Sequence, residues 1–115
     1  PQLCAYTKED RADLYQAIQQ RVAEGRWEIM GGMWVEADLN IPSGESLVRQ
    51  ILYGRRFFER EVEAPETPVL WLPDSFGFPA SIPQLMVQAG LTHFVTNKLN
   101  WNQTNRLPDS SLLKR

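Results

Sequence analysis

The chain has 115 residues, of which 43% are hydrophobic and 23% charged, a composition typical of one soluble globular domain. Its formal net charge of −2 comes from interspersed acids and bases, so we expect no nucleic-acid partner. No apolar run approaches the roughly 18 residues of a membrane span, and no basic segment precedes an apolar one, so neither a membrane span nor a signal peptide is expected in these residues.

The single cysteine and the single histidine limit disulfide and metal chemistry. Cys4 has no disulfide partner in the chain and no Cys or His at metal-ligand spacing, so we interpret it as a small buried or half-buried apolar residue. Zinc enzymes usually draw on several His or Cys side chains. The chain by itself is therefore not expected to complete a zinc site.

The first periodic segment predicts a helix that begins at Thr7, whose hydroxyl is suited to cap it. Leu14, Ile18 and Val22 repeat at helical spacing and form its apolar face. Gly25 is expected to end it, because glycine readily adopts the left-handed conformation of a helix C-terminus.

Two further segments precede a proline-rich loop at 64–68. Residues 27–35 predict a short strand interrupted by Gly31 and Gly32, with Glu36 and Asp38 at its end. Ser43 then predicts the start of a second helix. The apolar and closing positions of that helix are Leu47, Ile51, Leu52, Phe57 and Phe58.

The second half of the chain predicts two short strands with a helix between them. Residues 69–72 form a continuous apolar run, which is typical of a strand buried on both faces, and residues 94–96 form another. A capping box of Ser81 and Gln84 predicts the start of the intervening helix, and Gly90 its end. Residues 105–115 have no apolar face and are expected to be a weakly ordered end.

Helices that alternate with apolar strands predict an α/β fold with parallel strands, in which functional residues lie beyond the carboxyl ends of the strands. Asp74 follows the first strand, and Asn97 and Lys98 follow the second. From position alone, Asp74 is suited either to cap the following turn or to catalyse, and both interpretations stay open.

Several separated blocks of the sequence carry a specific resemblance. They are residues 25–28 (GRWE), 31–38 (GGMWVEAD), 42–50 (PSGESLVRQ), 71–77 (WLPDSFG) and 98–102 (KLNWN). In this order they resemble the family 38 glycoside hydrolases, which are zinc-dependent retaining α-mannosidases, and chiefly the branch that contains bacterial and cytosolic enzymes. The resemblance covers roughly the middle two-thirds of the chain.

The resemblance implies that residues 1–115 are a fragment of a catalytic domain, part of an irregular parallel β/α barrel. It implies a cytoplasmic hydrolase that removes terminal α-linked mannose from oligosaccharides, with zinc as its cofactor. A piece of such a barrel is expected to expose strand residues and to form a homo-oligomer. The strand residues expected to be exposed are Val69, Leu70, Trp71, Phe94 and Val95.

The resemblance also implies residue roles. Asp74 is expected to be both the nucleophile and a zinc ligand. Lys98 and Trp101 match positions near the sugar, although a solvated lysine and a core tryptophan are the alternatives, and Phe76 is expected to form a wall of the same substrate site. The remaining zinc ligands and the general acid/base are expected outside the chain. His93 lies at the start of the second predicted strand and is interpreted as structural.

The other carboxylates in the matching blocks receive no catalytic role. Glu36, Asp38 and Glu45 are expected at most to support the site indirectly. Two alternatives to the α-mannosidase remain from sequence alone: a metal-dependent deacetylase on a similar barrel, and a non-enzymatic carbohydrate-binding or interaction module that uses exposed aromatic residues. Paired histidines at helical spacing would favour the deacetylase, and metal-independent sugar binding by the chain alone would favour the module.

Overall fold

A computed structural model describes residues 1–99 of the chain. Within this range the elements are helices α1 (Gln2–Asp10), α2 (Ala12–Ala23) and α3 (Gly44–Glu61), strand β1 (Val69–Trp71), helix α4 (Ile82–Gln88) and strand β2 (His93–Val95). The predicted α/β class agrees with this arrangement. None of the helices between residues 1 and 99 is long and apolar enough to cross a membrane.

The N-terminal region contains two helices where one was predicted. The predicted start at Thr7 is wrong: this residue lies inside α1, and its hydroxyl donates to the carbonyl of Leu3 at 2.7 Å. The break between α1 and α2 is at Arg11, whose φ of −141° is not helical. The predicted end at Gly25 is confirmed. Gly25 has φ of +68°, and the N–H of Arg26 after it donates a hydrogen bond to the carbonyl of Arg21.

A small apolar cluster holds α2 against the end of α3. Its buried members are Tyr15, Ile29, Val62 and Ala64, and Cys4 packs against them half-buried, as expected for a small apolar residue. The Tyr15 hydroxyl donates to the carbonyl of Glu61 at 2.8 Å. The buried phenol therefore has the hydrogen-bond partner that burial requires.

The strand predicted over residues 27–35 is wrong. The backbone of this segment pairs with α3 instead of with a strand: the N–H of Trp34 donates to the Gln50 carbonyl at 2.9 Å, and the N–H of Val35 donates to the Gln50 side-chain oxygen at 3.1 Å. Gly54, further along α3, lets the helix approach closely enough for these contacts. Glu36 and Asp38 consequently follow a helix-bound segment and not a strand.

Helix α3 begins as predicted and extends further than predicted. Ser43 caps it by accepting a hydrogen bond from the Ser46 N–H at 3.2 Å. The helix continues past Phe57 and Phe58 because neither glycine nor proline occurs between residues 55 and 62.

The two strands form a parallel pair in the register Val69↔His93, Leu70↔Phe94 and Trp71↔Val95. The expectation that β1 is buried on both faces is wrong, because Leu70 is fully buried while Trp71 is 47% exposed. Leu70 was also expected to be an exposed strand residue of the fragment, and its burial contradicts that expectation. The described elements cover one face of the pair, and β2 is exposed at both of its ends. The main core cluster under this face is Met33, Ala37, Leu39, Leu47, Ile51, Leu70, Leu72, Ile82, Met86 and Leu91.

Helix α4 connects the two strands. The predicted capping box is wrong: Ser81 is the N-cap, yet its backbone is already helical (φ −78°, ψ −11°) and its side chain makes no cap hydrogen bond with the residues described. Capping hydroxyls act from an extended residue, which explains the difference. The predicted end is confirmed, since Gly90 has φ of +70° directly after the Ala89 C-cap.

Candidate active site

The carboxyl ends of β1 and β2 bring Asp74 and Lys98 together. Because the strands are parallel neighbours, the residues that follow them lie at one edge of the sheet. The Lys98 Nζ is 3.0 Å from Asp74 Oδ1. The Lys98 side chain is 20% exposed and that of Asp74 is 69% exposed. Asp74 and Lys98 therefore lie at one edge of the sheet, as the parallel strands predict.

Phe76 adds an aromatic face to the same place. The Lys98 Nζ lies 5.1 Å from the centroid of the Phe76 ring, which is within the range of a cation–π contact. The Phe76 residue is 68% exposed. A carboxylate, an ammonium group and an accessible ring thus lie side by side, which is a combination suited to a polar ligand with an apolar face.

The turn that carries Asp74 is held by residues 36 and 37. The Asp74 N–H donates to Glu36 Oε1 at 2.6 Å, and the hydroxyl of the buried Ser75 donates to the Ala37 carbonyl at 2.9 Å. Glu36 thus contacts the turn directly. The contact cannot be predicted from the sequence, because no local signal joins positions 38 residues apart.

The next residues of the same loop explain the role of Asp38. Its Oδ1 accepts hydrogen bonds from the N–H groups of Asn40 at 2.7 Å and Ile41 at 3.0 Å, which makes it a turn-forming residue. This turn places the Asn40 amide against Gly77, where a Cβ would lie 2.1 Å from Asn40 Nδ2. A side chain at position 77 would therefore displace the Asn40 amide from this contact between the two loops.

An apolar groove of about 850 Å³ opens beside Lys98 and Phe76. Its walls include Phe78, Met86 and Phe94. Phe78 and Phe94 meet edge to face with ring centroids 5.1 Å apart, which stiffens this wall. The groove therefore extends from Lys98 and Phe76 towards α4.

The described residues do not form a complete metal site. Between residues 1 and 99, no three His, Cys, Asp or Glu side chains lie close enough together to hold an ion. Glu45 pairs with Arg49 on the surface of α3, and His93 is exposed with its Nδ1 2.9 Å from the Thr92 hydroxyl. Asp74 is the candidate ligand at the site, so a zinc ion there would need further ligands from beyond the described part. Trp101 also lies outside the described residues.

Comparison with known proteins adds the family. Residues 1–113 match the family described as Glycosyl hydrolases family 38 N-terminal domain. Alpha-mannosidase G of Dictyostelium discoideum is 45% identical over 108 residues, which is 94% of this chain and 10% of that protein. Alpha-mannosidase 2C1 of Homo sapiens is 43% identical over 103 residues, covering 90% and 10%. Alpha-mannosidase of Saccharomyces cerevisiae is 39% identical over 104 residues, with the same coverage.

The chain therefore spans about one tenth of the length of these curated relatives. The family match covers residues 1–113, a range that contains the turn with Asp74 and the position of Lys98. The chain belongs to the glycosyl hydrolase family 38.

Proposed function

We propose that this chain is part of a longer protein, called the parent enzyme below, that is a retaining α-mannosidase acting on terminal α-mannosyl linkages of oligosaccharides. The observation that carries the proposal is the 3.0 Å pair of Asp74 and Lys98 beside the Phe76 ring, in a family whose similar relatives are named α-mannosidases. Those names favour a glycosidase over a deacetylase or a non-enzymatic sugar-binding module.

In the proposed mechanism Asp74 is the nucleophile. One carboxylate oxygen forms a bond to the anomeric carbon while the bond from that carbon to the glycosidic oxygen breaks. The departing oxygen takes a proton from an acid beyond the described residues. Water, deprotonated by the same group, then replaces Asp74 at the anomeric carbon and releases mannose with its configuration retained. Lys98 orients the carboxylate through its contact with Oδ1.

Phe76, Lys98 and Trp101 are the proposed substrate contacts. The exposed Phe76 ring offers an apolar surface to the carbon face of a pyranose, and the Lys98 ammonium can donate to sugar hydroxyls. Trp101 is included because of its place in the family-like block at 98–102. The adjoining apolar groove gives room beside these residues for part of a larger glycan.

We also propose a zinc ion, with Asp74 as the one ligand that the described residues supply. When bound, such an ion would hold hydroxyl groups of the mannose at the site. The exposure of the Asp74 carboxylate supports this role, since it is open to an ion from the solvent side. The resemblance to the bacterial and cytosolic branch supports a cytoplasmic location.

The barrel is a further part of the proposal. The described β1–α4–β2 unit is a parallel strand pair joined by a helical crossover, which is the repeating unit of β/α barrels. The exposed faces of Trp71 and Val95 are then surfaces that other parts of the parent enzyme cover.

A direct test compares the parent enzyme with the isolated 115-residue chain. With p-nitrophenyl α-mannoside and zinc, the parent enzyme should release α-mannose as the first product, detected by NMR, whereas the chain alone should give no hydrolysis because it lacks the acid and other zinc ligands. Sedimentation should show the isolated chain as an oligomer, because it exposes Trp71 and Val95. Release of β-mannose first would contradict retention. Zinc-dependent hydrolysis by the isolated chain would contradict the proposal that it is an incomplete catalytic domain, and a stable monomer would contradict the expected pairing of its exposed strand edges.

A second test concerns Trp101. If its indole stacks on the sugar, Trp101→Ala should weaken substrate binding by an amount on the order of 1 to 3 kcal/mol, seen as a raised KM of the parent enzyme at unchanged zinc content. Trp27→Ala, at an exposed tryptophan after α2, is the matched control and should leave KM unchanged. Unchanged kinetics with a lower melting temperature would show instead that Trp101 is a core residue.

A further inference from the structure

We propose that Glu36 is a positioning residue that sets the place of the Asp74 backbone through one hydrogen bond. The inference deepens the proposed function and rests on it, since it takes Asp74 as the nucleophile. Glu36 itself would not touch the sugar. Its carboxylate acts on the reaction only through where it holds Asp74.

The hydrogen bonding at the end of β1 carries the argument. The N–H of Leu72 still donates to the carbonyl of Val95 at 2.9 Å, in the parallel ladder with β2. Pro73 has no N–H to donate. The N–H of Asp74 donates to Glu36 Oε1 at 2.6 Å and not to the neighbouring strand. A side chain thus replaces the sheet as the partner of the residue that bears the nucleophile.

Glu36 is in turn held by its neighbours on both sides. The N–H of Val35 donates to the Gln50 side chain at 3.1 Å, which ties the segment to α3. On the other side, the buried Ala37 accepts from the Ser75 hydroxyl at 2.9 Å. Glu36 therefore lies between two anchored residues, which restrains the backbone from which its side chain reaches Asp74.

Glu36 is the side chain hydrogen-bonded to the Asp74 backbone itself, while the Ser75 hydroxyl anchors the next residue. The Asp74 side chain is 69% exposed, so packing contributes little to its position, and Lys98 contacts its carboxylate at 3.0 Å. Displacement of a reacting group by about 1 Å can lower a rate by about 100-fold. Loss of the Glu36 hydrogen bond should therefore reduce turnover much more than substrate binding.

The test uses three substitutions of Glu36 in the parent enzyme. Glu36→Gln keeps an oxygen acceptor at the same reach without the charge, and should keep kcat within about threefold of wild type. Glu36→Ala removes the acceptor, and Glu36→Asp keeps the charge but shortens the reach by one methylene. Both should lower kcat by about 10- to 100-fold with KM within about twofold, and should slow labelling of Asp74 by a mechanism-based fluorosugar equally.

Glu45→Ala is the matched control, because Glu45 is an exposed glutamate that pairs with Arg49 on the surface of α3. It should leave kcat, KM and labelling unchanged. Melting temperatures are read on the same samples, and if Glu36→Ala does not fold, the comparison of Glu36→Gln with Glu36→Asp decides.

The outcomes separate this inference from the proposed function. A wild-type parent enzyme without mannosidase activity, or an active Asp74→Asn variant, would overturn the proposed function. An active wild type with an inactive Asp74→Asn variant, but with Glu36→Asp as fast as wild type, would overturn only the positioning role. The positioning role would also fail if Glu36→Gln lost as much kcat as Glu36→Asp, since an uncharged acceptor at the right reach would then not be enough to hold Asp74 in place.

Discussion

Replacement of Asp74 by asparagine is expected to lower the kcat of the parent enzyme by roughly 10⁴-fold or more, the scale on which loss of a nucleophile acts. An amide carries no charge to attack the anomeric carbon, and it cannot pair ionically with Lys98, which lies 3.0 Å from the carboxylate. The measurement is the initial rate with an aryl α-mannoside. A mechanism-based fluorosugar should in addition label the wild-type peptide that contains Asp74, as identified by mass spectrometry.

Asp13→Asn is the control for this prediction. Asp13 is an exposed aspartate in the first turn of α2 that pairs with Arg11 at 3.0 Å, so its substitution should leave turnover unchanged. Because Asp74 is also largely exposed, Asp74→Asn should fold with a melting temperature close to wild type. Labelling of a different carboxylate, or retention of turnover by Asp74→Asn, would show that the nucleophile lies elsewhere.

Gly54→Ala is expected to lower the free energy of unfolding by about 3 kcal/mol. A Cβ at position 54 would lie 2.5 Å from the Met33 carbonyl carbon and 2.6 Å from the Gly32 oxygen. These are backbone atoms, so no side chain can rotate to relieve the overlap. Helix α3 would have to move away from the segment that carries Glu36. The measurement is denaturant unfolding of the parent enzyme, or its melting temperature where unfolding is irreversible.

Gly44→Ala is the matched control in the same helix. It lies at the start of α3, and a Cβ there would meet no atom of the described residues within 4 Å. Alanine is favoured over glycine in a helix, so stability should stay unchanged or rise by up to about 1 kcal/mol. If the two alanine variants were equally stable, the close contact between α3 and residues 32–33 would be contradicted.

Features that depend on local chemistry could be predicted from the sequence. Ser43 was expected to start α3 because its hydroxyl can accept from the backbone of the first turn, and it does so. Gly25 and Gly90 were expected to end helices because they adopt positive φ without steric cost, and both do. Each of these outcomes depends on residues fewer than about five positions apart, so the sequence contains all that determines it.

Part of the site could be predicted in the same way, because its position follows from topology. Two apolar runs separated by a helix imply parallel strands, and residues after parallel strands meet at one edge. Asp74 and Lys98 are therefore predicted to lie close together, and the family-like blocks contain the same two positions. The Phe76 ring then follows Asp74 by two residues and reaches the same pair.

Where long-range partners compete with local preference, only the tertiary structure decided which conformation forms. Residues 27–35 have the composition of a strand, yet Gln50 of α3 takes the N–H groups of Trp34 and Val35, so no strand forms. Trp71 lies in an apolar run but is exposed, because the elements described cover one face of the sheet. By itself the sequence determined the helix start at Ser43, the helix ends at Gly25 and Gly90, the strand pair and the edge at which Asp74 lies. The contact of Glu36 with Asp74 was decided by folding alone, because a hydrogen bond across 38 residues depends on how α3 and the sheet pack together and not on any local propensity.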